Sequence, residues 1–546
     1  MRRLRVGILD LLTNRPARGL YPRFWNANLV SIVPQVVAVW CEEEGHDVRL
    51  IAYTGLEDLR TVFAADTDLL FVCAFSHSAQ LAYAVSNFYR RGGTMTALGG
   101  PHARCYPEDA GGYFDYVLGF TDRGVIQDVL RDCSPHRPVG VQMSATQQPP
   151  HMPGVRARWK FAKAALAQSP VLKIVPMLSS LGCPYRCSFC IDATVDYQTM
   201  SGDEIRDDLR FLLTQMRRPR VAWHDPNFGV RFDEILGTIE EAVPPGRVDF
   251  IAESSLSLLS ESRLRRLEKN SFKALLPGVE SWYAFGNKSK TTAVAGMEKV
   301  RQISEHVNLV LRHVPYVQTN FVLGLDTDEG AEPFELTKRF LDLTPGAFPG
   351  YSLLTAFGRS APLNLELQAA GRVLPFPHHF LNNRLAMNVL PKHYEWPAFY
   401  DHVIDLTRYS FSWRSIGRRL VANREAIPRL MNVARALTVE GAKRARYYST
   451  VRGLLDTDKS VQRYFSGESA TLPAIYEGMI RQDLGPMWEY LPKQAINHDP
   501  NIYLKMEQRR ELGIAPTRIG RADVIAPERG SSGKPGGSPL GSTAPA

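Results

Sequence analysis

Ser180-Leu181-Gly182-Cys183-Pro184-Tyr185-Arg186-Cys187-Ser188-Phe189-Cys190 carries three cysteines in eleven residues, spaced C-x3-C-x2-C. Thiolates this close along the chain can reach a single metal centre, because the intervening loop is too short to hold them apart. A [4Fe–4S] cube held entirely by protein takes four cysteines. Three leave one iron open to bind a small molecule and pass it an electron. A zinc site would normally bring a fourth Cys or His nearby, commonly in a second pair. Here the next histidine downstream is His224, and no second C-x-x-C exists. The odd total of seven cysteines argues against a disulfide framework. Zinc binding or free thiols stay open as the alternative readings of the triplet.

Outward from this loop the chain alternates strand and helix. An apolar strand over 172–177 leads straight into it. Helices are expected over 202–216, 231–241, 260–269, 293–305 and 331–343. Strands are expected over 220–224, 249–252, 274–277, 318–323 and near 351–354. Polar or glycine residues close these strands: Asp225 and Asn227, Glu253, Glu280 and Ser281, and Gly324. Each also has a plain reading as a cap or loop-fixing group, and Asp225-Pro226-Asn227 is good turn chemistry. Glu280 ends an apolar strand, where a charge needs a partner.

The cysteine spacing resembles that of the radical S-adenosylmethionine superfamily. Six strand–helix units are similar to its open (βα)6 partial barrel, in which active groups sit at the carboxyl ends of strands. The resemblance implies that Cys183, Cys187 and Cys190 hold a [4Fe–4S] cluster. It further implies that the cluster chelates S-adenosylmethionine by its amino and carboxylate groups and cleaves the sulfonium reductively to a 5′-deoxyadenosyl radical. Phe189 fills the slot where the family usually carries an aromatic touching the adenine. Gly278-Val279-Glu280-Ser281 is close to the family's G-x-E-S pattern. Glu280 and Ser281 are then expected to help hold S-adenosylmethionine, Asp225 and Asn227 to contact its amino group or the substrate, and Glu253 to bond a ribose hydroxyl or orient a partner. Gly324 would permit a close approach of backbone and cofactor.

Residues 5 to about 135 alternate in the same way. Strands are expected over 5–12, 47–53, 68–75, 95–98 and 116–118, with helices over 28–44, 55–64 and 79–91, which implies a parallel, doubly wound, flavodoxin- or Rossmann-like sheet. Its ligands belong at the carboxyl ends of its strands. Gly45-His46-Asp47-Val48 and Leu98-Gly99-Gly100-Pro101-His102-Ala103 resemble the cobalamin-binding domain that precedes many radical enzymes. By that resemblance Ser76, Gly99 and Gly100 line the pocket for the nucleotide tail. His77 and His102 are candidate pocket residues, or plain hydrogen-bonding groups. Two departures stand out. D-x-H-x-x-G is absent, so no histidine of that motif ligates cobalt. The usual G-E-G-E after strand five is here Gly119-Phe120-Thr121-Asp122. A flavodoxin-like scaffold without ligand is the alternative.

Five segments follow: a cobalamin-binding-like domain (1–135), a Pro-rich linker (136–170) ending in a helical piece at 157–168, the barrel (171–365), a helical C-terminal domain (366–512) and a disordered tail (513–546). Aromatic stretches such as 376–380 and 394–400 would lid the barrel. The N-terminus reads as a first strand rather than a signal peptide, and no stretch approaches the roughly 20 apolar residues of a membrane span. A reducing, cytoplasmic location follows. The formal charge of +9 is modest for 546 residues, and no nucleic-acid motif accompanies it. The function expected is a cobalamin-dependent radical enzyme that methylates a small-molecule substrate, supplied with electrons by a reductant such as flavodoxin or ferredoxin. Radical cyclisation, rearrangement or oxidation is the runner-up. A structural metal-binding or electron-carrier protein is the non-enzymatic rival.

Overall fold

The computed structural model describes residues 2–17, 30–133, 139–169, 171–283, 285, 294–438 and 440–502. The expected tail over 513–546 lies outside them.

The first sheet has strands β1 (Arg5–Leu11), β2 (Asp47–Tyr53), β3 (Leu69–Cys73), β4 (Met95–Gly99), β5 (Tyr116–Leu118) and β6 (Val141–Met143), all parallel, in the order β2-β1-β3-β4-β5-β6. Its central strands are apolar almost throughout, as in Leu69-Leu70-Phe71-Val72, because helices cover both faces. Helices α1 (Ile32–Glu43), α2 (Ala79–Arg91), the short α3 (Pro101–Cys105) and α4 (Pro107–Ala110), and α5 (Arg123–Asp132) supply that cover.

Two expectations fail here. Residues 55–64 form turns, not a helix. Gly55 sits at φ +90° against the backbone of Arg15 and Ala17, while Leu59, Val62 and Phe63 are buried separately. The sixth strand lies inside the stretch expected to be linker. It is an edge strand with an exposed start, so it shows no apolar run.

Helix α6 (Trp159–Ala167) leads to the second sheet. Buried Arg158, just ahead of it, donates to Gln35 Oε1 on α1 at 3.0 Å and to Pro176 O at 2.8 Å, tying the two sheets together. Strand β7 (Val175–Met177) is followed by a small hairpin of β8 (Ser180–Leu181) and β9 (Gln198–Thr199). Then come α7 (Gly202–Gln215), β10 (Arg220–Trp223), α8 (Phe232–Ala242), β11 (Asp249–Ala252), α9 (Glu261–Lys269), β12 (Phe272–Leu275), β13 (Gly278–Glu280), α10 (Gly296–His313), β14 (Tyr316–Leu323), α11 (Glu332–Leu343) and β15 (Phe348–Leu353).

The strands are parallel and β12 and β13 both pair with β14, so they are two pieces of one strand. Pro277 separates them, and Glu280 closes the second at φ +65°. The result is a six-unit partial barrel whose edges are β7 and β15.

Helices α12 (Pro362–Ala369), α13 (Trp396–Ser410), α14 (Trp413–Ala422), α15 (Ala426–Leu437), α16 (Ala442–Thr457), α17 (Lys459–Phe465) and α18 (Ala474–Leu484) form the remainder. They touch both sheets. Tyr394 and Phe399 pack on Phe334 of α11. The segment around His378 reaches instead to the first sheet, where His378 Nε2 lies 3.0 Å from Asp109 Oδ2. Among the described residues no helix is long and apolar enough to cross a membrane.

Candidate functional site

The cysteine loop leaves the carboxyl end of β7. Gly182, at φ +64°, makes its first turn. A side chain there would run into the carbonyls of Val195 and Asp196, so only glycine fits ahead of Cys183. Arg186 sits at φ +44° between the first two cysteines. Arg186 and Glu280 are two of the four described non-glycine residues at positive φ, a strain of about 1–2 kcal/mol each that gathers at working sites.

Cys183 and Cys187 are buried and Cys190 is partly accessible. Asn227 Nδ2 approaches Cys183 Sγ at 3.8 Å, and the amide of Asp192 approaches Cys190 Sγ at 3.4 Å. The three sulfurs are not drawn within 4.8 Å of one another; among the described residues only His102, Asp109 and His378 converge that closely. Three thiolates carried on one loop are a donor set that fits a [4Fe–4S] cluster with one open iron.

Asp225 is buried behind this loop. Its carboxylate accepts from the Ser179 amide (3.0 Å) and from the hydroxyls of Ser179 (2.5 Å) and Ser180 (2.7 Å). Burial raises its pKa and these donors oppose the rise. Its bonds thus go to the chain that launches the cysteines. Asn227 Oδ1 accepts from the amide (2.8 Å) and hydroxyl (3.0 Å) of Ser255, linking the ends of β10 and β11.

Glu253 is exposed at the end of β11, its carbonyl accepting from Phe228 N at 2.7 Å. Glu280 folds its carboxylate over Gly278, and its charge acts on buried Lys299, whose ammonium donates to Tyr283 O at 3.1 Å. Ser281 is buried and its hydroxyl accepts from Tyr283 N at 3.1 Å. Phe189 stacks on Phe285, ring centres 5.0 Å apart.

Gly324 is placed otherwise than its expected role requires. At φ +84° its open side faces Met387 and Phe399 of the C-terminal domain, at 2.7 and 3.1 Å from an added Cβ. The close approach it permits is to protein, not to a cofactor.

At the first sheet's carboxyl ends the candidate residues separate. Nothing lies within 4 Å of a side chain added at Gly99, whereas Gly100, at φ +90°, abuts Cys73 and Ala74 of the neighbouring strand. His102 is fully buried, with Tyr83 Oη at 2.6 Å on one nitrogen and Ser76 Oγ at 3.4 Å on the other. Ser76 is buried with it. His77 stays partly accessible beside exposed Phe75, and burial with the charges of His379, Arg384 and Arg15 lowers its pKa to about 4.

A cleft of about 330 Å³ opens beyond β5 and β6, lined by Arg104, Gly119, Phe120, Ser144, Thr194 and Arg359. Gly99 has open space beyond it. His102 and Ser76 are already engaged with protein.

Several residues were missed from the sequence. Arg104 of α3 donates to Ile191 O (2.9 Å) and Asp192 Oδ1 (3.1 Å), joining the first domain to the cysteine loop. His224, next to Asp225 at the end of β10, is accessible, yet crowding by protein and the charge of Arg158 lower its pKa to about 4. Its strand-end position was the available signal. Arg384 and the buried His378 and His498 come from the helical part, where no periodicity marks them.

No family model matches the chain. Over 302 residues, 53% of this chain, it is 22% identical to bacteriochlorophyllide d C-12(1)-methyltransferase of Chlorobaculum tepidum, of which it covers 64%. Over 135 residues, 24% of this chain, it is 24% identical to bacteriochlorophyllide d C-8(2)-methyltransferase of the same organism, covering 29% of it. The chain thus spans less than two thirds of the length of these relatives. A solved structure of the radical S-adenosylmethionine methyltransferase TsrM from Kitasatospora setae, with cobalamin and a [4Fe–4S] cluster bound, aligns over 85% of this chain and 100% of that one. The TM-score is 0.51 and the identity 14%. The chain shares that fold: a doubly wound parallel sheet, a partial barrel and helices.

Proposed function

We propose that this chain is a cobalamin-dependent radical S-adenosylmethionine enzyme that methylates a carbon of a small biosynthetic molecule. One observation carries the reading: a loop offering three thiolates leaves the first barrel strand and is tied by Arg104 to the carboxyl edge of the first sheet. When bound, the cluster supplies the electron that cleaves S-adenosylmethionine to a 5′-deoxyadenosyl radical, and cobalamin supplies the methyl group. The names of both curated relatives, and of TsrM, support methyl transfer.

The chain's own work is holding, orienting and excluding. Cys183, Cys187 and Cys190 would hold the cluster. Asp225 positions their loop through Ser179 and Ser180, and Asn227 braces Cys183 against Ser255. Glu253, Glu280 and Ser281 stand at the next strand ends, where S-adenosylmethionine would lie, with Phe189 toward its adenine. The open space at Gly99 and the cleft beyond β5 would admit the corrin. Hydrogen abstraction by a radical needs no acid or base, so a neutral His224 at the end of β10 is compatible with it. Helical cover from the C-terminal part would keep water from the reacting radical. A low-potential donor such as flavodoxin or ferredoxin would reduce the cluster, and a cytoplasmic setting suits its oxygen sensitivity.

The test is anaerobic reconstitution with iron, sulfide and cobalamin, followed by dithionite and S-adenosylmethionine. Release of 5′-deoxyadenosine together with bound corrin absorbance is expected. Neither signal from a protein that carries iron would overturn the proposal.

A further inference from the structure

Where the C-terminal part meets the first sheet, four ligand-type side chains converge inside the protein. His102 and Asp109 come from α3 and α4, Tyr83 from α2, and His378 from the single turn over His378–Phe380. A nitrogen of each histidine and a carboxylate oxygen of Asp109 all lie within 4.8 Å of one another. His378 Nε2 is 3.0 Å from Asp109 Oδ2. Tyr83 Oη is 2.6 Å both from that oxygen and from His102 Nε2. A tetrahedral zinc ion with bonds of about 2.0–2.2 Å holds its ligand atoms about 3.3 Å apart. The separations here bracket that value, so each atom would shift by about 1 Å or less to enclose an ion.

Hydrogen bonds alone leave two features of this cluster unexplained. The side chain of Asp109 is 12% exposed, and it pairs with no Lys or Arg among the described residues. Its ion-pair partner is His378, a ring that burial keeps neutral. A carboxylate held inside protein without a counter-charge is costly. In addition, Nδ1 of fully buried His378 has no hydrogen-bond partner, so the ring makes its polar contact through Asp109. His102, also fully buried, is kept neutral as well, and the neutral imidazole is the form that ligates a metal.

We propose that His102, His378 and Asp109 bind a divalent transition-metal ion, zinc by preference, with Tyr83 Oη closing the tetrahedron. Two imidazoles, a carboxylate and a phenolate are nitrogen and oxygen donors that suit zinc, whereas magnesium and calcium ask for oxygen alone. The dication compensates the carboxylate, and the Tyr83 proton leaves to solvent as the ion binds. With four protein ligands no position stays open for a substrate, so the site is a structural one. It staples the C-terminal part to the first sheet. It is independent of the proposed function, since neither the cysteine loop nor the cleft beyond β5 supplies a ligand.

The test uses the full-length chain carrying Cys183→Ala, Cys187→Ala and Cys190→Ala, in which the loop cannot take the metal. After chelator treatment this parent is titrated with zinc chloride against a chromophoric chelator, and metal per chain is measured. One zinc per chain is expected. Asp109→Asn keeps an oxygen for Tyr83 and His378 but removes the charge. It should weaken zinc binding by more than the factor of about 10–100 typical of losing a supporting group. His378→Gln should do the same. His498→Ala removes the ring stacked on His378 without touching a ligand atom, and should bind zinc as the parent does.

No zinc in the parent, or equal zinc affinity in the parent and both ligand variants, would overturn the site. Should those variants fail to fold, the parent's thermal midpoint decides. Zinc must raise it by binding the folded chain, and magnesium must not. A midpoint unmoved by zinc would likewise refute the proposal.

Discussion

The imidazole of His378 stacks on that of His498, ring centres 3.9 Å apart and planes 20° apart, in the seam between the C-terminal part and the first sheet. His102 meets His378 edge-on, with its ring centre at 4.7 Å. Burial holds His378 and His498 at about 3 and depresses His102 as well. With folded pKa values below the ordinary value of about 6.5, the folded protein binds fewer protons than the unfolded chain between about pH 3 and 6.5. The stability these rings contribute is complete above that window and is lost as pH falls through it. Unfolding free energy should drop by up to about 1.4 kcal/mol per pH unit for each histidine. His378→Gln, which can still bond Asp109, should remove one proton from the slope. A slope unchanged in that variant would contradict the account.

Replacing Cys183, Cys187 or Cys190 by Ala should abolish the absorbance of the reconstituted cluster and the release of 5′-deoxyadenosine. Iron and sulfide per chain are the measurement. Wild-type iron content in all three variants would remove the basis of the proposed function.

Asp225→Ala should weaken cluster incorporation with every cysteine in place. It leaves one amide and two hydroxyls of Ser179 and Ser180 without their acceptor. Each such orphaned buried group costs about 1–3 kcal/mol. The thermal midpoint should fall and iron per chain should drop below wild type, with Asp225→Asn intermediate. A variant matching wild type in both would show that the carboxylate does not position the loop.

Gly99 and Gly100 should respond differently to substitution. Gly99→Trp projects into open space, so it should block corrin uptake while sparing the fold and the cluster. Gly100→Ala meets Cys73 and Ala74 at 2.9–3.1 Å with φ at +90°. It should lower the thermal midpoint before it affects any ligand. Full corrin binding by Gly99→Trp would mean that the cofactor does not enter beside that strand end.

The alternation of strands and helices was legible because strands buried on both faces are apolar runs, as in Leu69–Cys73 and Tyr316–Val317. The cysteine spacing was legible because it is local. What escaped depends on distant partners. Val141–Met143 is a short, exposed edge strand with no apolar signature. Gly324 carries the mark of a close approach, but its neighbours Met387 and Phe399 lie more than sixty residues on in the chain. Asp225 sits in good turn chemistry, yet its acceptors serve the preceding strand's end. Nothing local distinguishes Arg384 from the other arginines of the helical part, and only the fold reveals that it shares Glu440 with two of them.

The clamp of Arg104 on Ile191 and Asp192 sets a timetable as well as a geometry. The backbone of Arg359 adds a second fastening, its amide donating to Cys105 O at 3.1 Å beside the same cleft. Both fastenings spring from neighbouring residues of α3, and under the proposed function a ring as broad as a corrin would have to pass them. It would arrive while the two domains are apart, during synthesis or during a transient parting of the sheets. Loading into finished protein would then be slow and hastened by salt, which screens the Arg104–Asp192 pair. Cofactor supplied while the chain is being made would meet no such gate.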